Sequence, residues 1–226
     1  MIVADRKEMA EIAAMVQPFK RVLVCACETC VTVCQAGGRK EAEALQGLLA
    51  AEVAHKGLAR ELRLMAMERQ CENEYADQAA ENAAWADAIL STACGAGVQT
   101  LARRYPDKVV LPALNTTFYG EQTAPGAWAE VCAGCGNCML ARTGGICPMA
   151  RCSKRLHNGP CGGSTKGKCE VDQVNIECAW QLIHDRLKAQ GRLDLILGIE
   201  PIRDWRTSSS GGVRRRVAAE GALGDD

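Results

Sequence analysis

Hydrophobic residues in the first half of the chain recur at two alternating periods. Between residues 5 and 16, Met9, Ile12, Ala13 and Val16 fall at helical spacing behind Asp5, an acceptable N-cap, and predict a docking helix. Residues 21–26 form a short β-branched run, the mark of a buried strand. A second helical face (Ala42, Leu45, Leu48, Leu49, Val53) occupies residues 39–54. It is followed by a strand at 61–67, a helix at 75–85, a strand at 88–93, a helix at 98–104 and a strand at 109–111. This alternation predicts an α/β domain with an open parallel sheet, Rossmann- or flavodoxin-like, in which ligands sit at the carboxyl ends of the strands.

The pattern then changes. Residues 114–130 are turn-like, with Gly120, Pro125 and Gly126 marking a linker. Three regions are therefore expected: an α/β domain over 1–125, a small cysteine-rich metal-binding domain over 126–200, and a tail over 201–226. Within the second, residues 179–190 form an amphipathic helix with Trp180, Ile183 and Leu187 inward, Gly191 as its C′ residue and His184 on its surface. The tail is rich in Ser, Gly and Arg and is expected to be disordered or laid across a partner. Residues 1–16 are likewise expected to have little reason to fold against their own domain.

Cysteines change this picture most, since there are 14 of them and Phe, Trp and Tyr make up only 4% of the chain. Metal–thiolate bonds are therefore expected to replace part of the usual hydrophobic packing. Eight lie between residues 132 and 178. Cys132, Cys135 and Cys138 deliver three thiolates in one turn, and Cys147 precedes a proline, the spacing of bacterial ferredoxins. Cys152, Cys161, Cys169 and Cys178 complete two shells of four. In two-cluster ferredoxins the cysteine before proline serves the other cluster, so Cys147 is expected in the second shell. Structural zinc at one of the two sites is the rival reading, because C-x2-C pairs serve zinc equally well.

Upstream, cysteines fall where predicted strands end: Cys27 and Cys30 after the first, Cys71 after the second, Cys94 after the third. These four are expected to converge on one further cluster, giving two or three [4Fe–4S] clusters in all. Cys34 is an alternative to one of the four, and Cys25 reads as a small buried residue inside a strand. Neither Gly37-Gly38 nor Gly95-x-Gly97 completes a dinucleotide fingerprint, so both pairs read as turns.

Lys plus Arg balance Asp plus Glu at 27 each, so no global basic field exists to bring nucleic acid or an anionic membrane to the surface. No apolar run approaches the roughly 20 residues of a spanning helix. Residues 1–20 lack the apolar core and cleavage site of a secretory signal, so reduced thiols in the cytoplasm are expected in place of a disulfide framework.

The motifs resemble a known family. The run from Cys132-Ala-Gly-Cys135-Gly-Asn-Cys138 through Cys147-Pro, Cys152 and Pro-Cys161-Gly-Gly to Gly-Lys-Cys169-Glu-Val and Cys178-Ala-Trp is similar to the methylene-tetrahydrofolate reductase C-terminal-like domain of MetV-type subunits. The similarity extends upstream through Cys27-Glu-Thr-Cys30-Val-Thr-Val-Cys34, Arg69-Gln-Cys71-Glu and Ala-Cys94-Gly-Ala-Gly-Val-Gln; Cys25 stands where a smaller residue is usual. More loosely, the strand-end cysteines resemble the cluster domain of hydrogenase small subunits. The resemblance implies an iron–sulfur accessory subunit that pairs with a flavin-bearing (FMN or FAD), barrel-shaped MetF-type reductase subunit in acetogenic and related anaerobes. It would relay electrons from a ferredoxin or further electron-transfer subunits in the Wood–Ljungdahl pathway of one-carbon metabolism.

Three function classes follow: an electron-transfer subunit without a catalytic residue of its own, a zinc-binding scaffold of the same complex, and a corrinoid-linked methyl-transfer protein. The last lacks any recognisable lower-ligand motif. Arg214-Arg215-Arg216 reads either as a solvated charge run or as a rim contact for carboxylates on the reductase subunit.

Overall fold

The computed structural model describes residues 1–216, and the chain divides into two compact units, Met1–Ala129 and a second beginning at Glu130. In chain order the first contains β1 (Ile2–Arg6), α1 (Met9–Val16), β2 (Arg21–Cys27), α2 (Cys30–Val33), α3 (Arg39–Lys56), β3 (Glu61–Met67) and α4 (Asn73–Asp77). Then come α5 (Ala80–Trp85), β4 (Ala88–Ser91), α6 (Gly95–Arg104), β5 (Val109–Pro112) and β6 (Leu114–Ala124), while β7 (Ala127–Cys132) runs across the boundary. The expected mixed α/β architecture with a parallel sheet is present: four parallel strands run in the order β3-β2-β4-β5.

The central strand explains why the sequence reads as an unbroken apolar run. After Arg21 every residue of β2 is buried, as a strand covered on both faces must be. Side chains alternate across the sheet, so Val22, Val24 and Ala26 join Ile12, Val16, Leu45 and Leu49 from α1 and α3. Leu23 and Cys25 face the other way, toward Met67, Ala76, Ala79, Ala83 and Leu101. At the amino edge Asp87 accepts hydrogen bonds from the Arg21 backbone N–H (2.9 Å) and guanidinium (2.8 Å). The Arg21 side chain, followed by its backbone N–H, holds the Asp87 carboxyl below the usual carboxylate range.

Three expectations change. Residues 2–6 form β1, so the first helix starts at Met9, and it buries Ile12 and Val16 in its own domain instead of reserving them for a partner. The segment 114–130 is a sheet, not a linker. β6 pairs antiparallel with β1, and the turn at Pro125 and Gly126 (φ 75°) leads into β7. Asn-Thr-Thr-Phe-Tyr carries the β-branched and aromatic residues that suit a half-buried strand, and the flanking glycines and proline mask that preference. The helix expected over 75–85 is split in two around Gln78 and Ala79, which brings Ala76, Ala79 and Ala83 onto one core.

Gly47 lies inside α3 with nothing within 4 Å of where a Cβ would sit. Gly47→Ala should therefore stabilise the first unit by about 0.5–1 kcal/mol, chiefly by restricting the unfolded chain, and a urea titration would read it. A lower midpoint would mean that this face of α3 is not open.

The second unit is built largely of loops around α7 (Pro148–Arg151), the antiparallel ribbon of β8 (Lys168–Cys169) and β9 (Asp172–Glu177), and α8 (Ala179–Ala189). Its core is small: Ile146, Trp180, Ile183 and Leu187, with Cys152, Leu156 and Cys178 packed against them. α8 ends as its sequence indicates. Gly191 is left-handed (φ 67°), its N–H bonds Lys188 O, and the Arg192 N–H returns to Leu187 O at 2.8 Å. His184 is exposed beside Asp185. Among the described residues no helix is long and apolar enough to cross a membrane.

Candidate metal centres

The parallel sheet gathers the first set of thiols. Cys27 is the last residue of β2 and pairs in register with Met67, the last residue of β3, while Cys25 pairs with Ser91 at the end of β4. Cys30 opens α2, Cys71 follows β3 by four residues, and Cys94 caps α6 three residues after β4. All four thus stand on the loops at the carboxyl edge of three adjacent strands. Burial pushes the Cys27 thiol up, N–H groups of Gln70 and Thr29 pull it down, and Cys94 and Cys71 push it up again. Cys71 is likewise raised, first by burial, then by Cys94, with Cys30 adding to it. Four thiols on adjacent loops at one edge of the sheet are a donor set whose chemistry suits a metal group.

The other two cysteines of the region are buried. Cys34 is buried in a cluster that also contains Cys27, with Cys94 packed against it, and its thiol donates to Ala4 O (3.8 Å) and Val31 O (3.6 Å). Cys25 is fully buried, and desolvation pushes its pKa up to about 12.

A buried polar scaffold holds the loops in place. Gln70, fully buried beside Cys71, donates to Cys25 O at 2.8 Å and accepts from Ser91 Oγ at 2.5 Å. Thr92 Oγ1 donates to Gly37 O at 2.6 Å, and the Cys27 N–H reaches the same carbonyl at 3.2 Å. Sequence reasoning missed Gln70, Ser91 and Thr92. The available signal was polar residues beside two of the cysteines, where the surrounding pattern is apolar.

In the second unit Cys132, Cys135, Cys138 and Cys147 line a single concavity of about 290 Å³, together with Met139 and Met149. Left-handed Gly134 (φ 58°) and Gly136 (φ 78°) turn the chain between the first three. Gly144 and Gly145, also left-handed, turn it back so that Cys147 arrives just before Pro148. The concavity thus groups Cys147 with the first three cysteines, whereas the spacing of two-cluster ferredoxins assigns it to the second shell.

The remaining four surround the β8–β9 ribbon. Cys169 on β8 contacts Ser153, next to Cys152, at 3.7 Å, and Cys161 contacts Glu170, next to Cys169, at 3.4 Å. The Cys178 N–H bonds Gly167 O at 2.8 Å, while Cys152 and Cys178 both pack on the α8 core. The Val171 N–H, then the Ser153 hydroxyl, lower the Cys169 pKa and favour its thiolate. Among the described residues no three His, Cys, Asp or Glu side chains converge closely enough to chelate one metal ion. The thiols are gathered as loops and remain unpaired with one another.

Residues 201–216 of the tail meet the first cysteine loop of their unit. Arg203 and Thr207 bond the loop that carries Cys135, and Arg214 bonds Gly134 O at 2.8 Å. Residues 217–226 of the expected tail lie outside the described residues.

Comparison with curated proteins and with solved structures found no match. Residues 111–206 match the model of the family described as methylene-tetrahydrofolate reductase C terminal. The match covers less than half of the chain and is consistent with the resemblance to MetV-type subunits read from its cysteine motifs.

Proposed function

We propose that this chain is the iron–sulfur subunit of a methylene-tetrahydrofolate reductase complex, relaying electrons to a flavin-bearing reductase subunit. The observation that carries the reading is the set of four thiols at the carboxyl edge of the sheet, together with two further four-cysteine groups in the family-matched region. Bound clusters would supply one-electron chemistry. Cys27, Cys30, Cys71 and Cys94 would hold one. Cys132, Cys135, Cys138 and Cys147 would hold a second, and Cys152, Cys161, Cys169 and Cys178 a further cluster or a zinc ion. The Gln70 and Thr29 N–H groups favour the thiolate of Cys27, and the Ser153 hydroxyl that of Cys169. Hydride delivery to methylene-tetrahydrofolate belongs to the flavin of the partner, whose electrons would come from a ferredoxin or another electron-transfer subunit.

The test is elemental analysis of anaerobically purified chain, followed by viologen-linked reductase activity of the chain alone and with its flavoprotein. Brown protein with iron in excess of zinc, inactive alone and active as the pair, is expected. Colourless protein containing only zinc would replace the relay with a scaffold. Activity of the isolated chain would reveal a substrate site of its own.

A further inference from the structure

The segment after α8 returns to the first cysteine loop of its unit and places a cation against it. The Arg203 guanidinium donates through Nη2 to Cys135 Sγ (2.7 Å) and to Asn137 O, and stacks over Trp205 with 5.3 Å between guanidinium carbon and ring centroid. Thr207 Oγ1 donates to Cys135 O at 2.9 Å. Arg214 Nη1 bridges Gly134 O at 2.8 Å and Thr207 O at 2.9 Å. Gly136 makes the closeness possible, since a Cβ there would stand 2.2 Å from Thr207 O. Three separate side chains thus fasten residues 203–214 onto the loop.

The charge on this strap is not spent elsewhere. Asp204, the nearest acid in sequence, is taken by the Arg206 guanidinium at 2.8 Å. Among the described residues no carboxylate pairs with Arg203, and its Nε is buried without a hydrogen-bond partner. A guanidinium aimed at a thiol sulfur fits an anionic sulfur, with which it makes a charge-assisted hydrogen bond.

We propose that residues 203–214 form a cationic strap over the Cys132–Cys138 loop, in which Arg203 is a positioning residue that raises the reduction potential of the group held there. The inference rests on the reading of these thiols as cluster ligands. In the step concerned one electron, supplied by a low-potential donor such as a reduced viologen, enters the cluster, and Arg203 keeps its proton throughout. The added negative charge is stabilised by the fixed guanidinium and by the hydrogen bond to sulfur, two of the factors that set cluster potentials.

The experiment is a potentiometric EPR titration of the full chain, anaerobically purified, with iron counted in each variant. The signal to follow is the one abolished by Cys135→Ser. Arg203→Gln should make that site about tenfold harder to reduce, a shift of about 59 mV to lower potential for one electron, while Arg203→Lys retains most of the wild-type value. If Arg203→Gln loses iron from this site alone and Arg203→Lys keeps it, the requirement for charge is likewise supported. An unchanged potential at full iron content, or equal loss of iron in both variants, would overturn the proposal and leave the iron–sulfur assignment standing. Wild-type chain without iron would overturn the assignment and the proposal together.

Discussion

Replacement of Cys71 by Ser is expected to remove about four irons per chain and leave the metals of the second unit in place. Cys71 is exposed and makes no contribution to either core of the sheet, so the change should cost the fold little. Its thiol nevertheless interacts with those of Cys27, Cys30 and Cys94, and a hydroxyl does not ionise at neutral pH to replace a thiolate ligand. Cys34→Ser is the matched control. Cys34 is closer in sequence to Cys30 but its thiol is turned toward Ala4 O, so iron content should not change. Loss of iron in the Cys34 variant with retention in the Cys71 variant would reverse the ligand assignment.

Gly37→Ala should destabilise the first unit by about 3 kcal/mol or more, among the larger costs of a single substitution. A Cβ on Gly37 would stand 1.9 Å from Thr92 O and 2.8 Å from Leu114 Cδ1. The obstacle is backbone at the end of β4, which cannot swing away as a flexible side chain would. Gly37 O also accepts from the Cys27 N–H and from Thr92 Oγ1, so displacement of this turn reaches a candidate ligand directly. A fall in urea midpoint accompanied by partial loss of iron is expected, opposite in sign to the effect at Gly47. A midpoint within 0.5 kcal/mol of wild type, about the range of a neutral surface change, would show that the close approach does not occur.

The two glycines illustrate where the sequence is legible. Both sit beside helical patterns and read alike as letters, yet one fills open space and the other a backbone crossing between segments 55 positions apart. The strands are similarly uneven. β2 is recognisable because burial on both faces demands a continuous apolar run, which no exposed element would carry. β1 and β6 are obscured because each is half-buried and short of apolar residues, and β1 becomes a strand only by pairing with β6, which lies between it and β7.

Local chemistry by itself determined the alternation of strands and helices, the placing of candidate thiols at strand ends, the Gly191 cap, and the likeness of residues 111–206 to the matched family. These depend on period, spacing and residue type, which act over a few positions. Tertiary structure alone decided that Cys34 is a core residue, that Cys147 shares a concavity with Cys132, Cys135 and Cys138, that Gln70, Ser91 and Thr92 brace the strand-end loops, and that Arg203 lies on Cys135. Each of these depends on which surfaces meet after the chain has closed. Arg203 and Cys135 are 68 residues apart, and no short-range preference of either residue encodes their encounter.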